Sequence, residues 1–126
     1  MSGNSMKKDN TYKMKRVNVH CRKGIPILFY INQLYAVLNK DYDIHVNGSI
    51  EMTGKDYGNL KTVKVYANLC NADGAILYIL NSWKNYQVIE DAYYSFSLYC
   101  STVDRFFVPD ELEYVEIYLS FNERDS

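Results

Sequence analysis

The sequence predicts an all-β protein, either a sandwich or a barrel of short strands. Its 13 tyrosines against 2 prolines favour this class, because tyrosine suits the pleated, half-buried surface of a sheet. Several segments alternate between apolar and polar residues, which is the period of a strand. Turn-forming residues separate these segments at intervals of roughly ten residues, the spacing typical of sandwiches and barrels.

The length of the chain, 126 residues, fits one domain. With 48% hydrophobic residues, it has enough apolar side chains for a packed core. The polar start of the chain, residues 1–13, is predicted to be a flexible segment. A single β-sandwich domain is expected over residues 14–122, followed by a solvated tail at residues 123–126.

The first strand is predicted at "RVNVHCR", where Val17, Val19 and Cys21 alternate with polar residues. The next segment, residues 27–39, is ambiguous. Its apolar side chains follow helical spacing, yet no capping residue precedes them, and β-branched and aromatic side chains are frequent. We favour a strand, or two short strands, over a helix. The residues with helical spacing are Ile27, Leu28, Ile31, Leu34, Tyr35 and Leu38.

Two alternating segments follow, "YDIHVNGSIEMT" and "LKTVKVYANL". In each, every second residue is apolar or glycine, which predicts a strand with one face toward the core. Asp73-Gly74 then lies between two apolar runs and predicts a hairpin turn, since glycine accepts a positive φ at little cost. The predicted inward residues are Ile44, Val46, Gly48, Ile50 and Met52 in the first segment, and Val63, Val65, Ala67 and Leu69 in the second.

The last third of the chain contains a loop or edge segment around the single tryptophan, Trp83, and then two more strands. The strands are predicted at "YSFSLYC" and "LEYVEIYLSF", joined by a long connection with one proline. In the first of them, Phe96, Leu98 and Cys100 are expected to face the core. In the second, the expected core residues are Val115, Ile117, Leu119 and Phe121.

Four segments stand out together: "VNGSIEMTG", "LKTVKVYANLCNADGAIL", "YYSFSLYC" and "EYVEIYLSF". They resemble the FxLYD-type domains, a family of small immunoglobulin-like β-sandwiches found mainly in bacteria and archaea. Phe96, Leu98 and Tyr99 stand where the F, L and Y of the family name fall, and Cys100 stands where the name has Asp. The resemblance covers about residues 43–122. It implies an immunoglobulin-like β-sandwich of about seven to eight short antiparallel strands, and it brings no catalytic residues.

Neither metal ligation nor catalysis is predicted. The histidines and cysteines lack the paired spacing of zinc sites, and the adjacent His20 and Cys21 point to opposite faces of a strand. Loop carboxylates such as Asp41, Asp73 and Asp104 would bind calcium if they met at one end of the sandwich, which leaves calcium as an alternative. No acid, base and nucleophile stand at catalytic spacing. We therefore expect a non-enzymatic protein without a cofactor.

Charge and hydropathy restrict the partners and the location. The net charge of -1 offers no basic patch for phosphate, so nucleic acid is not an expected partner. Apolar runs of about 18 residues do not occur, so no membrane span is expected. Three cysteines and the lack of a signal peptide indicate reduced thiols in a cytoplasmic protein, whereas a leader upstream of Met1 would make it an exported one.

Tyrosines and serines occupy the polar faces of the predicted strands. Rigid, amphipathic tyrosines among small hydroxyl groups are typical of binding surfaces, although exposed tyrosines also stabilise cross-strand pairs. We predict that this face, or an exposed edge strand, binds another protein or a second copy of the chain. The alternative is a domain of an exported or cell-envelope protein that binds carbohydrate or calcium through its loops. The predicted partner-binding residues are Tyr66, Tyr93, Ser95, Ser97, Tyr99, Tyr114 and Tyr118.

Overall fold

The computed structural model describes residues 15–39, 41, 43–101 and 109–123. The predicted flexible segment, residues 1–13, lies outside the described residues. Of the predicted tail at 123–126, only Glu123 is described, as the last residue of a strand. The elements are β1 (Lys15–Cys21), β2 (Phe29–Leu38), β3 (Asp43–Met52), β4 (Leu60–Cys70), β5 (Ile76–Asn81), β6 (Tyr86–Gln87), β7 (Tyr93–Ser101), a 3-10 turn (Pro109–Glu111) and β8 (Tyr114–Glu123).

The eight strands form one mixed sheet that is nearly closed into a barrel. Their order is β5-β4-β8-β1-β2-β3-β7, and β6 pairs with β4. The predicted all-β class is thus confirmed. The prediction of antiparallel strands is corrected at one pair, because β1 and β8 run parallel, with Val19 opposite Val115. Parallel neighbours need a long connection, and here nearly the whole described chain supplies it.

Strand β1 joins two groups of strands. Its first residues pair with β2 in antiparallel fashion, with Val17 opposite Ala36. Its later residues pair with β8 instead, from Asn18 to Cys21. One group therefore contains β2, β3 and β7, and the other contains β8, β4, β5 and β6. A strand that passes from one group to another is how sheets turn corners around a core.

The ambiguous segment at residues 27–39 contains strand β2, so the preference for strand over helix is confirmed. A β-bulge interrupts it: Asn32 pairs with Ser49 and Tyr35 with Asn47. Two residues of β2 therefore oppose the single Gly48. The extra residue converts the strand spacing of two into a spacing of three between the core-packed Ile31 and Leu34. This bulge explains the helix-like pattern in the sequence.

The core lies inside the sheet, on the faces that alternation predicts. All nine inward residues predicted for β3 and β4 are buried, as are Phe96, Leu98 and Cys100 of β7. In β8 the prediction holds fully for Val115 and Ile117, whereas Leu119 and Phe121 are half-buried near the end of the strand. The core continues into β6, where Tyr86 is buried and its ring packs against that of Tyr94, with centroids 5.0 Å apart.

Burial of Tyr86 predicts a specific loss of stability at alkaline pH. Desolvation raises the pKa of the Tyr86 hydroxyl above its value of about 10 in the unfolded chain. The stability that depends on the protonated Tyr86 hydroxyl is therefore fully present below pH 10, and it is lost as the pH rises through the folded-state pKa. We expect Tyr86→Phe to reduce the fall in unfolding free energy between pH 9 and pH 11, in comparison with the wild type.

Urea unfolding at several pH values measures this effect. Replacement of an exposed tyrosine, Tyr30→Phe, is the matched control, and comparison of variants removes the contribution of the other ionising side chains. Parallel stability–pH curves for Tyr86→Phe and the wild type would contradict the prediction.

Candidate functional site

The seven predicted partner-binding residues fall into two groups on different strands. Four of them lie on β7, and the other three lie on β4 and β8. Strands β1, β2 and β3 stand between β8 and β7 in the sheet. The β7 group is Tyr93, Ser95, Ser97 and Tyr99, and the β4–β8 group is Tyr66, Tyr114 and Tyr118.

Tyrosines of the β4–β8 group contact each other and an arginine. Tyr66 and Tyr118 are opposite each other in the sheet, and their rings stack with centroids 5.2 Å apart and an angle of 18°. The guanidinium of Arg22 lies 4.1 Å from the centroid of the Tyr118 ring. Stacking and cation–π contacts of this kind stabilise neighbouring strands. This geometry favours a structural role for the pair.

Tyr114 also contacts neighbouring side chains. Its ring stacks on His20, with centroids 5.1 Å apart, and its hydroxyl group interacts with the thiol of Cys70. Burial raises the pKa of the Cys70 thiol, so the sulfur stays protonated and unreactive at neutral pH. The three cysteines form no disulfide, and Cys70 and Cys100 are buried thiols.

A carboxylate at the centre of this face holds the polar groups together. One oxygen of Glu116, Oε1, accepts hydrogen bonds from Arg22 Nη2 at 3.3 Å and from Asn68 Nδ2 at 3.1 Å. Asn68 is fully buried, and its Oδ1 atom has no hydrogen-bond partner. The cluster fixes β1, β8 and β4 to one another, and the described cavities do not reach Asn68.

The β7 group is more accessible. Tyr93 and Tyr99 are each about half exposed, and Ser95 and Ser97 are exposed between them. The Tyr93 hydroxyl donates to Oε1 of Gln33 in the bulge of β2, at 3.2 Å. A shallow cavity of about 320 Å³ lies beside these groups. This face has polar atoms available to a partner, but its surface is shallow.

One opening in the described sheet lies between its two end strands. β5 and β7 end the strand order, and they approach within 8 Å between Cα atoms without pairing. A cavity of about 420 Å³ occupies this place, which we call the seam. The described residues that line the seam are all uncharged: Tyr78, Ile79, Leu80, Asn81, Trp83, Tyr99, Cys100 and Ser101.

Trp83 projects from a fixed turn at the seam. Its side chain is 84% exposed, and its backbone has a positive φ of 62°, which is unfavourable for a residue with a side chain. The backbone N–H of Trp83 donates to Oδ1 of Asn81 at 2.8 Å. The preceding Ser82 is buried, and it bonds to Val65 through both its backbone N–H and its hydroxyl oxygen. The turn therefore holds an exposed indole in a strained backbone conformation.

Trp83 is absent from the residues that the sequence predicts for a binding surface. The sequence does contain a signal for it: a single tryptophan within the polar stretch "NSWKN", directly after the apolar run "AILYIL". A large aromatic residue in such a loop has no core to enter unless the loop folds back. Tyr99, which is among the predicted residues, lines the same seam.

Within residues 15–39, 41, 43–101 and 109–123, no group of three or more His, Cys, Asp or Glu side chains is placed to hold a metal ion. One of the candidate calcium ligands, Asp104, lies outside these ranges. The same part of the chain contains no helix with the length and hydropathy needed to cross a bilayer.

Comparisons with known proteins give this chain no family. No family model matches it, and neither a curated protein nor a solved structure matches it. The geometry of the seam and of the two tyrosine faces is therefore the basis on which a function is inferred.

Proposed function

We propose that the protein is a non-enzymatic binding module, and that it contacts another protein chain through the seam between β5 and β7. The observation that carries this proposal is the exposed Trp83, which a strained and hydrogen-bonded turn holds beside an uncharged cavity. Tryptophan is the residue type most enriched among binding hot spots. Backbone strain of this kind persists where the surrounding structure enforces it, and it is concentrated at functional sites.

The chemistry of the seam suits a protein partner. Trp83 and Tyr99 offer exposed, rigid rings, and Asn81 offers an adaptable amide group. This combination is used by protein-binding surfaces such as antibody loops. The described residues of the lining carry no positive charge for phosphate, and the whole chain has a net charge of -1, so nucleic acid is a poor fit.

We propose an immunoglobulin-like sandwich of the FxLYD type over residues 43–122, in a cytoplasmic protein. The segments that carry the resemblance fall on β3, β4, β5, β7 and β8. The Asp73-Gly74 turn joins β4 and β5, with a φ of 86° at Gly74. The passage of β1 between two groups of strands supports a two-layer description.

A peptide display experiment tests the proposed function. Peptides are selected on the immobilised protein, and each binder is then measured against Trp83→Ser and against the double variant Tyr66→Ser/Tyr118→Ser. We expect the binders to depend on Trp83, because it anchors the seam, and to retain affinity for the double variant, because those rings contact each other. If the binders keep their affinity for Trp83→Ser and lose affinity for the double variant, the binding surface lies on the β4–β8 face instead.

A further inference from the structure

We infer that the outer face of β2, β3 and β7 binds a neutral oligosaccharide in the shallow cavity beside the β7 group. This cavity shares no described lining residue with the seam, so the inference goes beyond the proposed function. Three features carry it: an uncharged polar lining, an amide that the fold holds in place, and an exposed ring at one end. The described residues of the lining are Gln33, Asn47, Gly48, Ser95, Phe96 and Ser97.

β3 lies between two paired neighbours, so this face offers a ligand its side chains. Asn47 stands opposite Tyr35 of β2 on one side and opposite Ser97 of β7 on the other. The backbone N–H and C=O groups of β3 are used in these two ladders. An extended peptide therefore finds no sheet edge at β3 with which to pair. A ligand that brings its own hydroxyl groups can instead bond to the exposed side chains.

The side chains at the centre of the face have unused hydrogen-bonding capacity. Within the described part of the chain, the side chains of Asn47, Ser95 and Ser97 have no hydrogen-bond partner. Amides and hydroxyls both donate and accept, and the hydroxyl groups of a saccharide do the same. An ionic ligand would lose hydration here without gaining an opposite charge, because the described lining is uncharged. The lining therefore suits a neutral, hydroxyl-rich ligand.

Gln33 supplies a hydrogen-bond donor that is already in place. It belongs to the bulge of β2, with a φ of 57°, and its backbone N–H donates to Oδ1 of Asn32 at 2.6 Å. The Tyr93 hydroxyl donates to Oε1 of Gln33, which leaves Nε2 of the same amide to donate to a ligand. Backbone strain of this kind is concentrated at functional sites. A group that is fixed beforehand also loses less freedom on binding.

Tyrosine rings stand at the two ends of the β7 group. The Tyr93 ring is about half exposed, on the same face as the two serines, and the apolar C–H face of a sugar can pack on such a ring. At the other end, the Tyr99 ring packs against His45 with centroids 4.8 Å apart, and its hydroxyl interacts with Asp43. The strand places the two rings about 20 Å apart, which is the length of a short oligosaccharide.

An array of neutral and acidic glycans identifies the probe, and variants of the full chain locate its site. The probe is the neutral glycan that the array retains most strongly, and its affinity is measured by NMR titration. Gln33→Gly removes the amide and accepts the positive φ, and Ser97→Asp adds a charge to the lining. The matched control is Ser120→Asp, because Ser120 is exposed on β8 and does not line the cavity.

We expect neutral glycans to bind, and we expect Gln33→Gly and Ser97→Asp each to weaken binding by about tenfold or more, whereas Ser120→Asp leaves it unchanged. Tyr93→Phe keeps the ring and releases the Gln33 amide, so it should weaken binding by a smaller factor. Failure of every neutral glycan to bind would overturn the inference, as would a glycan that binds Ser97→Asp as tightly as the wild type. Neither result affects the proposed function, which depends on peptide binding at Trp83. Ser97→Asp keeps the test decisive even if Gln33→Gly does not fold.

Discussion

Truncation of Phe96 to alanine is expected to lower the free energy of unfolding by about 3–5 kcal/mol. The Phe96 ring is buried in the core, on β7 opposite Gly48 of β3. A Cβ atom added at Gly48 would lie only 2.5 Å from the ring, so the aromatic side chain covers the glycine. Gly48 has no side chain that can move into the space left by the ring. The site therefore has little means of closing the cavity after truncation, which places the cost in the upper range.

Urea unfolding of Phe96→Ala against the wild type measures this loss. Tyr93→Ala is the matched control on the same strand, because its ring is about half exposed on the outer face, and we expect a loss below about 1.5 kcal/mol there. A companion variant, Gly48→Ala, is expected to cost about 1–3 kcal/mol through overpacking against the same ring. Equal losses for Phe96→Ala and Tyr93→Ala would contradict the assignment of inner and outer faces on β7.

Replacement of Trp83 is expected to separate binding from stability. Both Trp83→Ala and Trp83→Gly should weaken the selected binders by about 2 kcal/mol or more, which is about thirtyfold in the dissociation constant. Their effects on folding should differ. Alanine keeps the cost of a positive φ, whereas glycine removes it, so Trp83→Gly should be about 1 kcal/mol more stable than Trp83→Ala.

The comparison needs two measurements on the same three proteins. Isothermal titration with one selected peptide gives the affinities, and urea unfolding gives the stabilities. Because the indole is 84% exposed, its removal should itself change stability little. If Trp83→Gly were less stable than Trp83→Ala, the left-handed conformation at this residue would be wrong. If both variants bound as the wild type does, Trp83 would not be the anchor.

Strand positions could be predicted from the sequence because alternation is a local property. The buried residues of β3, β4 and β7 follow from it directly, since each strand has one face toward the core. Alternation did not identify the strand at residues 27–39, because a bulge at Gln33, where φ is 57°, shifts the spacing of its inward residues. A bulge is selected by the partner strand, here by the single Gly48 that two residues oppose. That information lies elsewhere in the chain.

The order of the strands is the part that the sequence could not supply. Parallel pairing of β1 with β8 depends on contacts between distant residues, and so does the placement of β5 and β7 at the two ends of the described strand order. Tyr99 and Trp83 meet at one seam only because of that order. Alternation alone assigns Tyr66, Tyr99 and Tyr118 to the same class of polar-face residues. In the fold, Tyr66 and Tyr118 stack on each other, whereas Tyr99 packs against His45 and lines the seam.

The position of the last strand also sets the timing of folding during synthesis. β8 is the last strand among the described residues, yet it lies in the interior of the sheet, between β4 and β1. Until β8 leaves the ribosome, both of its neighbours have unpaired edges, and β1 cannot be fixed to the β4 group. Contacts as distant as Val19 with Val115 raise the contact order, which slows folding. We therefore expect the sheet to assemble after translation of the whole domain, as one late and cooperative event.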